Sequence, residues 1–320
     1  DSDNQDGYQV YVAIADVSAY VRPDTAMDRE ARKRGNSVYL PDRVIPMLPE
    51  RLSTDLCSLR PHEDRPALVV RMRVNKHGEI TKHNFSRAII SSKARLSYQQ
   101  AQLAFDGAPD EACAPLQDSV LSPLWQAYLL MAQARDKRSP LNLDLPERKV
   151  VMNDQKQIVD IFVPERLEAM RLIEEMMVNA NVCAAKTLEK HQQALIYRIH
   201  DAPALEKVHA LADFLKPLGV KLDLGQPLIP RLFNRVLSGA RKQNTENDEN
   251  QEDLGFMTQE AVLRTQSQAV YSPNNIGHFG LALSQYAHFT SPIRRYADLM
   301  VHRALIAALD LGPDGLAANE

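Results

Sequence analysis

Apolar positions alternate with polar ones from the start of the chain, and YQVYVAIADVSAYV (8–21), rich in Val, Ile and Tyr, predicts a strand buried on at least one face. DTAMDREARKRG (24–35) predicts a short helix opened by Asp24 or Thr25 and closed by Gly35. The following stretch, 36–61, is broken by Pro41, Pro46, Pro49 and Pro61, which leaves room only for an ordered, extended loop with one helical turn near 50–56. Residues 67–96 predict two long strands about a turn at 75–78, and Ser97 with Gln100 forms a capping box for a helix ending before Gly107. Ser122-Pro123 opens a helix to Arg138, and KVVMNDQKQIVDIFV (149–163) predicts a second hairpin turning at Asn153-Asp154. The longest helix is expected over 164–191, with Leu167, Met170, Ile173, Met177, Ala180 and Ala184 as its apolar stripe. Further helices are expected from Asp201 or Pro203 to Lys216 and over 228–238, 254–268 and 292–309, with the polar, acidic 242–253 as a mobile loop. Strands early, helices late and hairpins in place of βαβ alternation give an α+β class, with an antiparallel or mixed sheet surrounded by long helices.

The composition, 44% hydrophobic and 25% charged over 320 residues, is that of a chain able to bury a sizeable core. Cys57, Cys113 and Cys183 are far apart and form no C-x-x-C pair, which suggests neither disulfides nor a zinc site and fits a reducing, cytoplasmic setting. No segment approaches the roughly 18 apolar residues of a membrane span, and DSDNQDGYQ is no signal peptide. A net charge of −3 argues against a uniformly basic nucleic-acid-binding surface, though not against a local basic channel; Arg29/Arg32/Arg34, Arg71/Arg73 and Arg294/Arg295 are clusters that otherwise read as solvated faces.

In HFTSPIRRYADLMVHR (288–303), Pro292 fits the first position of a helix capped by Ser291 or Thr290, whose free N–H groups beside Arg294 and Arg295 would seat a phosphate. The two arginines cannot face the same way, so one faces a ligand while the other pairs with Asp298 at i,i+3; an ordinary capped surface helix with a salt bridge explains the spacing equally. Gly277 and Gly280 around His278 and Phe279 imply a main chain forced close to a ligand or to another segment. On the long helix, Glu174, Val178 and Asn181 share one face and Glu175 with Asn179 the next; such polar groups need partners, a cation or a hydroxyl, or else Glu175 pairs with Arg171 and the asparagines cap loops. Tyr39 and Tyr98, at element ends, are stacking surfaces for unpaired bases or rim residues of the core, and His200 is a base or a structural group. No Gly-rich phosphate loop, G-x-S-x-G, H-E-x-x-H or EF-hand pattern occurs.

Taken in order, VYVAIADVSAYV, MDREARKRGNSVYLPDRVIPMLPERLSTDLCSL, SSKARLSY, LIEEMMVNANVCAA, YRIHDAP and AVYSPNNIGHFGLALSQYAHFTSPIRRYADLMVHR closely resemble the catalytic RNB domain of the bacterial ribonuclease R and ribonuclease II family, nearest to ribonuclease R, over about residues 8 to 310. The resemblance implies a processive 3′→5′ exoribonuclease that degrades single-stranded RNA to nucleoside 5′-monophosphates in a closed channel, using divalent metal, Mg²⁺. It makes Arg294 the catalytic arginine on the scissile phosphate, and Tyr39 and Tyr98 RNA-contacting tyrosines. It makes Glu174 the carboxylate on a ribose hydroxyl, and places Leu143, in LNLDLPE, where the family has a phenylalanine stacked on the terminal base. Ser291 and Arg295 join them as phosphate contacts. The family's D-x5-D-x-D-D metal segment is not reproduced in DSDNQDGYQ, so no metal ligand is assigned and Asp1, Asp3 and Asp6 receive no such role. The expectation is one RNB-type domain over 1–320, monomeric, lacking its aspartate segment and the flanking oligonucleotide-binding domains, and inactive by itself. The alternative is a non-catalytic RNA- or phosphate-binding module. Either way, Arg294, the tyrosines and the acidic helix should converge on one tunnel for an unpaired strand.

Overall fold

The computed structural model describes residues 4, 7–153, 155–246 and 252–316, with main chain alone at 241–246 and 252–253. The first strand, β1 (Tyr8–Ala15), is shorter than its hydrophobic pattern: Asp16 accepts a hydrogen bond from Ala19 N at 3.3 Å and turns the chain into a 3₁₀ turn, Val17–Ala19. Helix α1 (Ala26–Arg34) has Thr25 as N-cap and Gly35, at φ 71°, as its left-handed terminator. The proline-broken stretch holds a two-residue hairpin, β2 (Val38–Tyr39) and β3 (Val44–Ile45), that the sequence pattern did not predict, and a π-helical turn over Arg51–Leu56 where one helical turn was expected. Strands β4 (Asp64–Val74) and β5 (Ile80–Ser91) pair about the expected turn, and α2 (Tyr98–Phe105) carries the complete Ser97/Gln100 capping box.

Helix α3 (Ser122–Arg138), strands β6 (Lys149–Met152) and β7 (Ile158–Phe162), and the long α4 (Glu168–Lys190) follow, the turn residue Asp154 lying outside the described residues. Next come β8 (Tyr197–Ile199), α5 (Leu205–Leu215), α6 (Pro230–Glu246), α7 (Glu252–Thr265), β9 (Val270–Ser272) and α8 (Tyr296–Ala308). The mobile loop expected over 242–253 is corrected at both ends, because Lys, Gln and Glu favour helix and extend α6 to Glu246; residues 247–251 lie outside the described ones.

Two compact units result, one of residues 1–134, 149–196 and 287–320, the other of 135–148 and 197–286. In the first, β1, β4 and β5 form an antiparallel sheet in the order β1-β4-β5. Along β4 the residues Leu68, Val70, Met72 and Val74 are fully buried at every second position, the period of a strand with one face on the core. They join Tyr128 and Met131 of α3, Leu172, Met176 and Ala180 of α4, and Val301, Ala304 and Leu305 of α8. Burial of each such Leu, Val or Met side chain contributes about 1.5 to 3 kcal/mol. A smaller cluster gathers Val17, Val21, Ala31 and Met47 around Leu299 of α8. The second unit encloses its own core, Val208, Leu211 and Leu215 of α5 with Phe233, Val236 and Leu237 of α6 and Val262 of α7.

Candidate functional site

The main chain of residues 289–296 is fixed by groups from distant parts of the first unit. Phe289 N donates to Asn181 Oδ1 of α4 at 2.7 Å, and Phe289 O accepts from His302 Nε2 of α8 at 2.8 Å. Ser291 N donates to Asp298 Oδ1 at 2.8 Å, and Ser291 O accepts from Arg294 N at 3.2 Å and Arg295 N at 3.0 Å. Arg294 O then accepts from Ser37 N at 2.9 Å, and Tyr296 N donates to Gly35 O at 2.8 Å, so the segment zips onto the chain that leaves α1. Helix α8 is itself tied to α1 inside the core: the buried Arg303 donates to Asp28 Oδ1 at 2.7 Å and Val21 O at 2.7 Å.

This geometry corrects the expected helix start. Pro292–Arg294 form a turn, Arg295 is extended (φ −137°, ψ 122°), and α8 begins only at Tyr296. The N–H groups of Arg294 and Arg295 point back to Ser291 O and that of Ser291 to Asp298, so the phosphate seat expected from free N–H groups at Ser291 does not form. The i,i+3 pairing holds: Arg295 grips Asp298 through Nε at 2.7 Å and Nη2 at 2.6 Å. Asp298 is fully buried, and burial pushes its carboxyl up while Arg295 pulls it down. Arg295 is therefore anchored to Asp298 through two of its three guanidinium nitrogens. Arg294 differs: it is exposed, and among the described residues its guanidinium makes no hydrogen bond or ion pair.

Tyr39 stands in β2 two residues beyond Ser37, and is 61% exposed. The Ser37–Arg294 hydrogen bond thus brings the Tyr39 and Arg294 segments together. Tyr98 opens α2 and is 43% exposed; α2 is joined to the first turn of α4 by Gln102 Oε1, which accepts from Ala169 N at 3.0 Å. Glu174 lies in the following turn of α4, exposed and paired with Arg166 at 2.9 Å. Its neighbour Glu175 is buried and accepts from Asn179 Nδ2 at 2.8 Å, not from Arg171, which pairs with Glu168 at 2.8 Å. Asn181, expected beside Glu174, is buried and caps the Phe289 main chain. Leu143 belongs to the second unit, where it borders the α5–α6–α7 core between Asn142 N, bonded to Asn234 Oδ1 at 2.9 Å, and Asp144 N, bonded to Gln259 Oε1 at 2.8 Å.

The glycine-flanked histidines shape a cavity of about 620 Å³ within the second unit, bordered also by Arg138, Arg231 and Asn275. Gly280 N donates to His200 Nδ1 at 3.0 Å, and a Cβ on Gly280 would stand 2.9 Å from that nitrogen. Gly280 is thus glycine because another segment approaches it. Burial pushes His278 down to about 4 and lowers His200, whose Nε2 bonds to Ser267 O at 2.8 Å; both rings are neutral at neutral pH. In the first unit burial likewise pushes His302 down to about 4.

His302 escaped the sequence reading, and only its place inside an otherwise apolar helix face could have marked it, whereas Asn181 takes the loop-capping role the sequence offered for the asparagines. Among the described residues no group of three or more His, Cys, Asp or Glu side chains is arranged to hold a metal ion. The buried carboxylates Asp16, Asp28, Glu175, Asp298 and Asp314 all accept hydrogen bonds from protein donors, so the described residues do not fit a divalent-metal centre and no step is derived through one. Asp1, Asp3 and Asp6 lie outside the described residues. No helix among the described residues is long and apolar enough to cross a membrane.

The family model of the RNB domain matches residues 1–311. Ribonuclease R of Escherichia coli (strain K12) is 44% identical over 302 residues, covering 93% of this chain and 36% of that relative. Ribonuclease R of Aquifex aeolicus is 41% identical over 303 residues, covering 94% and 42%. The chain therefore spans little more than a third of the length of such relatives. Among solved structures, Mycoplasma genitalium RNase R in complex with ribose methylated single-stranded RNA superposes with a TM-score of 0.87 at 31% identity, over 97% of this chain and 47% of that one. The yeast pseudonuclease Ssd1 shares the fold, with a TM-score of 0.73 at 22% identity over 96% and 37%.

Proposed function

The chain belongs to the RNB family, and from that premise we propose that it is the catalytic part of a 3′→5′ exoribonuclease, one RNB-type domain that releases nucleoside 5′-monophosphates processively from single-stranded RNA. The observation that carries this reading is the contrast between two adjacent arginines. Arg295 donates two hydrogen bonds to a buried carboxylate, while Arg294 projects from a main chain fixed by α1, α4 and α8. A guanidinium that starts from a fixed main chain and has no partner among the described residues is available to meet charge developing on a phosphate in the transition state. Tyr39 and Tyr98 supply exposed rings for stacking against unpaired bases, and the exposed Glu174 accepts from a ribose hydroxyl, the group that separates RNA from DNA. The RNA-bound structure of the Mycoplasma genitalium relative supports a single strand as the ligand.

The test follows the shortening of a 5′-labelled oligoribonucleotide with Mg²⁺, alongside RNA affinity. Arg294→Ala is expected to lower turnover by about 10² to 10³, the usual effect of removing one charge-stabilising donor, while affinity changes only a few-fold. Equal losses in both contradict the role. Glu174→Ala should reduce the preference for RNA over the matching DNA. RNA binding with no shortening of the strand, in a longer chain that also supplies the metal-holding carboxylates, replaces this reading with that of a binding module.

A further inference from the structure

Outside the Arg294 segment, the first unit carries a groove of about 480 Å³ between β5, the C-terminal end of α4 and the residues after α8. Lys82, His83, Lys186, Thr187, Lys190 and His191 line it, and none of its lining side chains is a carboxylate. Lys186 and Lys190 stand one turn apart on α4 and are exposed, and no carboxylate of the described residues pairs with them or with Lys82. Both ammonium groups are near enough to His83 to help lower its basicity, after burial, which is the larger cause. His83 is already engaged, with Nε2 3.0 Å from Thr187 Oγ1. Lysines at a helix C-terminus commonly answer the helix dipole, but that explains neither the third lysine from β5 nor a groove without a balancing acid. Like charges gathered in a concave site cost stability until an anion fills it. The charges are lysines, point donors suited to phosphate oxygens, and the amide of Asn84 stands among them.

The groove is separate from the proposed active site. Leu309 and Leu311, which border it, follow the C-terminus of α8, roughly 20 Å along that helix from Arg294. Lys190 lies about 24 Å along α4 from Glu174. We propose that this groove is a second anchoring site for the phosphodiester backbone of a nucleic acid strand, reading phosphate and not ribose or base. Only the identity of the strand rests on the exoribonuclease reading.

The test is fluorescence anisotropy of the chain with 16-nucleotide and 4-nucleotide oligo-U and oligo-dT between 50 and 200 mM salt, a span of ordinary single-strand site sizes. Each phosphate contact on a single strand contributes about 0.7 to the slope of log affinity against log salt, so Lys186→Ala/Lys190→Ala should lower the slope by about 1.4. The affinity gap between parent and variant should then narrow about sevenfold across that salt range, equally for RNA and DNA, with tetramer binding unchanged. Lys82→Ala should remove about half as much. An unchanged slope for the 16-mers overturns the proposal, as does a loss confined to RNA. Loss of binding to inorganic phosphate or oligo-glutamate, with the 16-mer slope intact, assigns the groove to a small anion or an acidic peptide and also overturns it. Failure of the active-site reading looks different: no shortening of the strand in the longer chain, with the double-lysine effect intact.

Discussion

His302 is completely buried in α8, stacked on the Phe289 ring at 4.6 Å, and its Nε2–H holds the Phe289 carbonyl at 2.8 Å. Burial keeps its pKa at about 4 against the ordinary 6.5, the Phe289 carbonyl pulling weakly the other way. Between those values the unfolded chain therefore binds more protons than the folded one, and stability rises with pH. The contribution is complete above about pH 6.5 and is lost as pH falls toward 4. From pH 7 to pH 5 it amounts to about 2 kcal/mol, a substantial part of the stability of a small folded unit. The perturbation is His302→Gln, whose amide can still donate to Phe289 O but does not titrate. Urea unfolding at pH 7, 6 and 5, followed through Trp125, the single tryptophan and a neighbour of Phe105 and Tyr128 in the same unit, gives the comparison. The parent should lose about 2 kcal/mol more than the variant between pH 7 and pH 5, since the other histidines are common to both. Identical pH dependence in the two proteins, or an imidazole resonance of His302 titrating near 6.5, would refute the reasoning.

Two further substitutions test the scaffold. Asp298→Asn places an amide donor where two guanidinium donors and Ser291 N now find acceptors, and Arg295, one-fifth exposed, keeps a charge without its partner; a loss of about 2 to 4 kcal/mol in urea unfolding is expected. Gly78→Ala asks for φ 77° and drives a Cβ into the Leu130 carbonyl, and should cost about 3 kcal/mol; Gly107→Ala, at φ 89° with nothing within 4 Å, should show only the backbone cost of about 1 kcal/mol.

Features set by neighbours in the chain were legible in the sequence. Thr25 and Gly35 bound α1, Ser97 and Gln100 close the capping box, and the β4–β5 hairpin turns where Asn75 and Gly78 announce it. Features set by distant groups were not. Pro292 favours a helix start, yet Asp298, Gly35 and Ser37 take the polar groups of that segment and delay α8 to Tyr296. The i,i+3 spacing pointed to Arg295 as the partner of Asp298, but not to the full burial of that carboxylate or its second task of holding Ser291 N. Glu175 likewise takes a partner the sequence did not name, since the buried carboxylate accepts from Asn179 while Arg171 meets Glu168, and Glu174 stays the exposed candidate. The β2–β3 hairpin stayed hidden because its apolar side chains, Val38, Tyr39, Val44 and Ile45, face solvent and obey no core-facing alternation.

Nearly every link that holds residues 289–296 runs through peptide groups or through side chains other than that of Arg294. Position 294 is consequently a tenant of the architecture and not one of its pillars. Exchanging the tenant leaves the walls standing, so an engineer can install a cysteine or a reporter there without redesigning the fold.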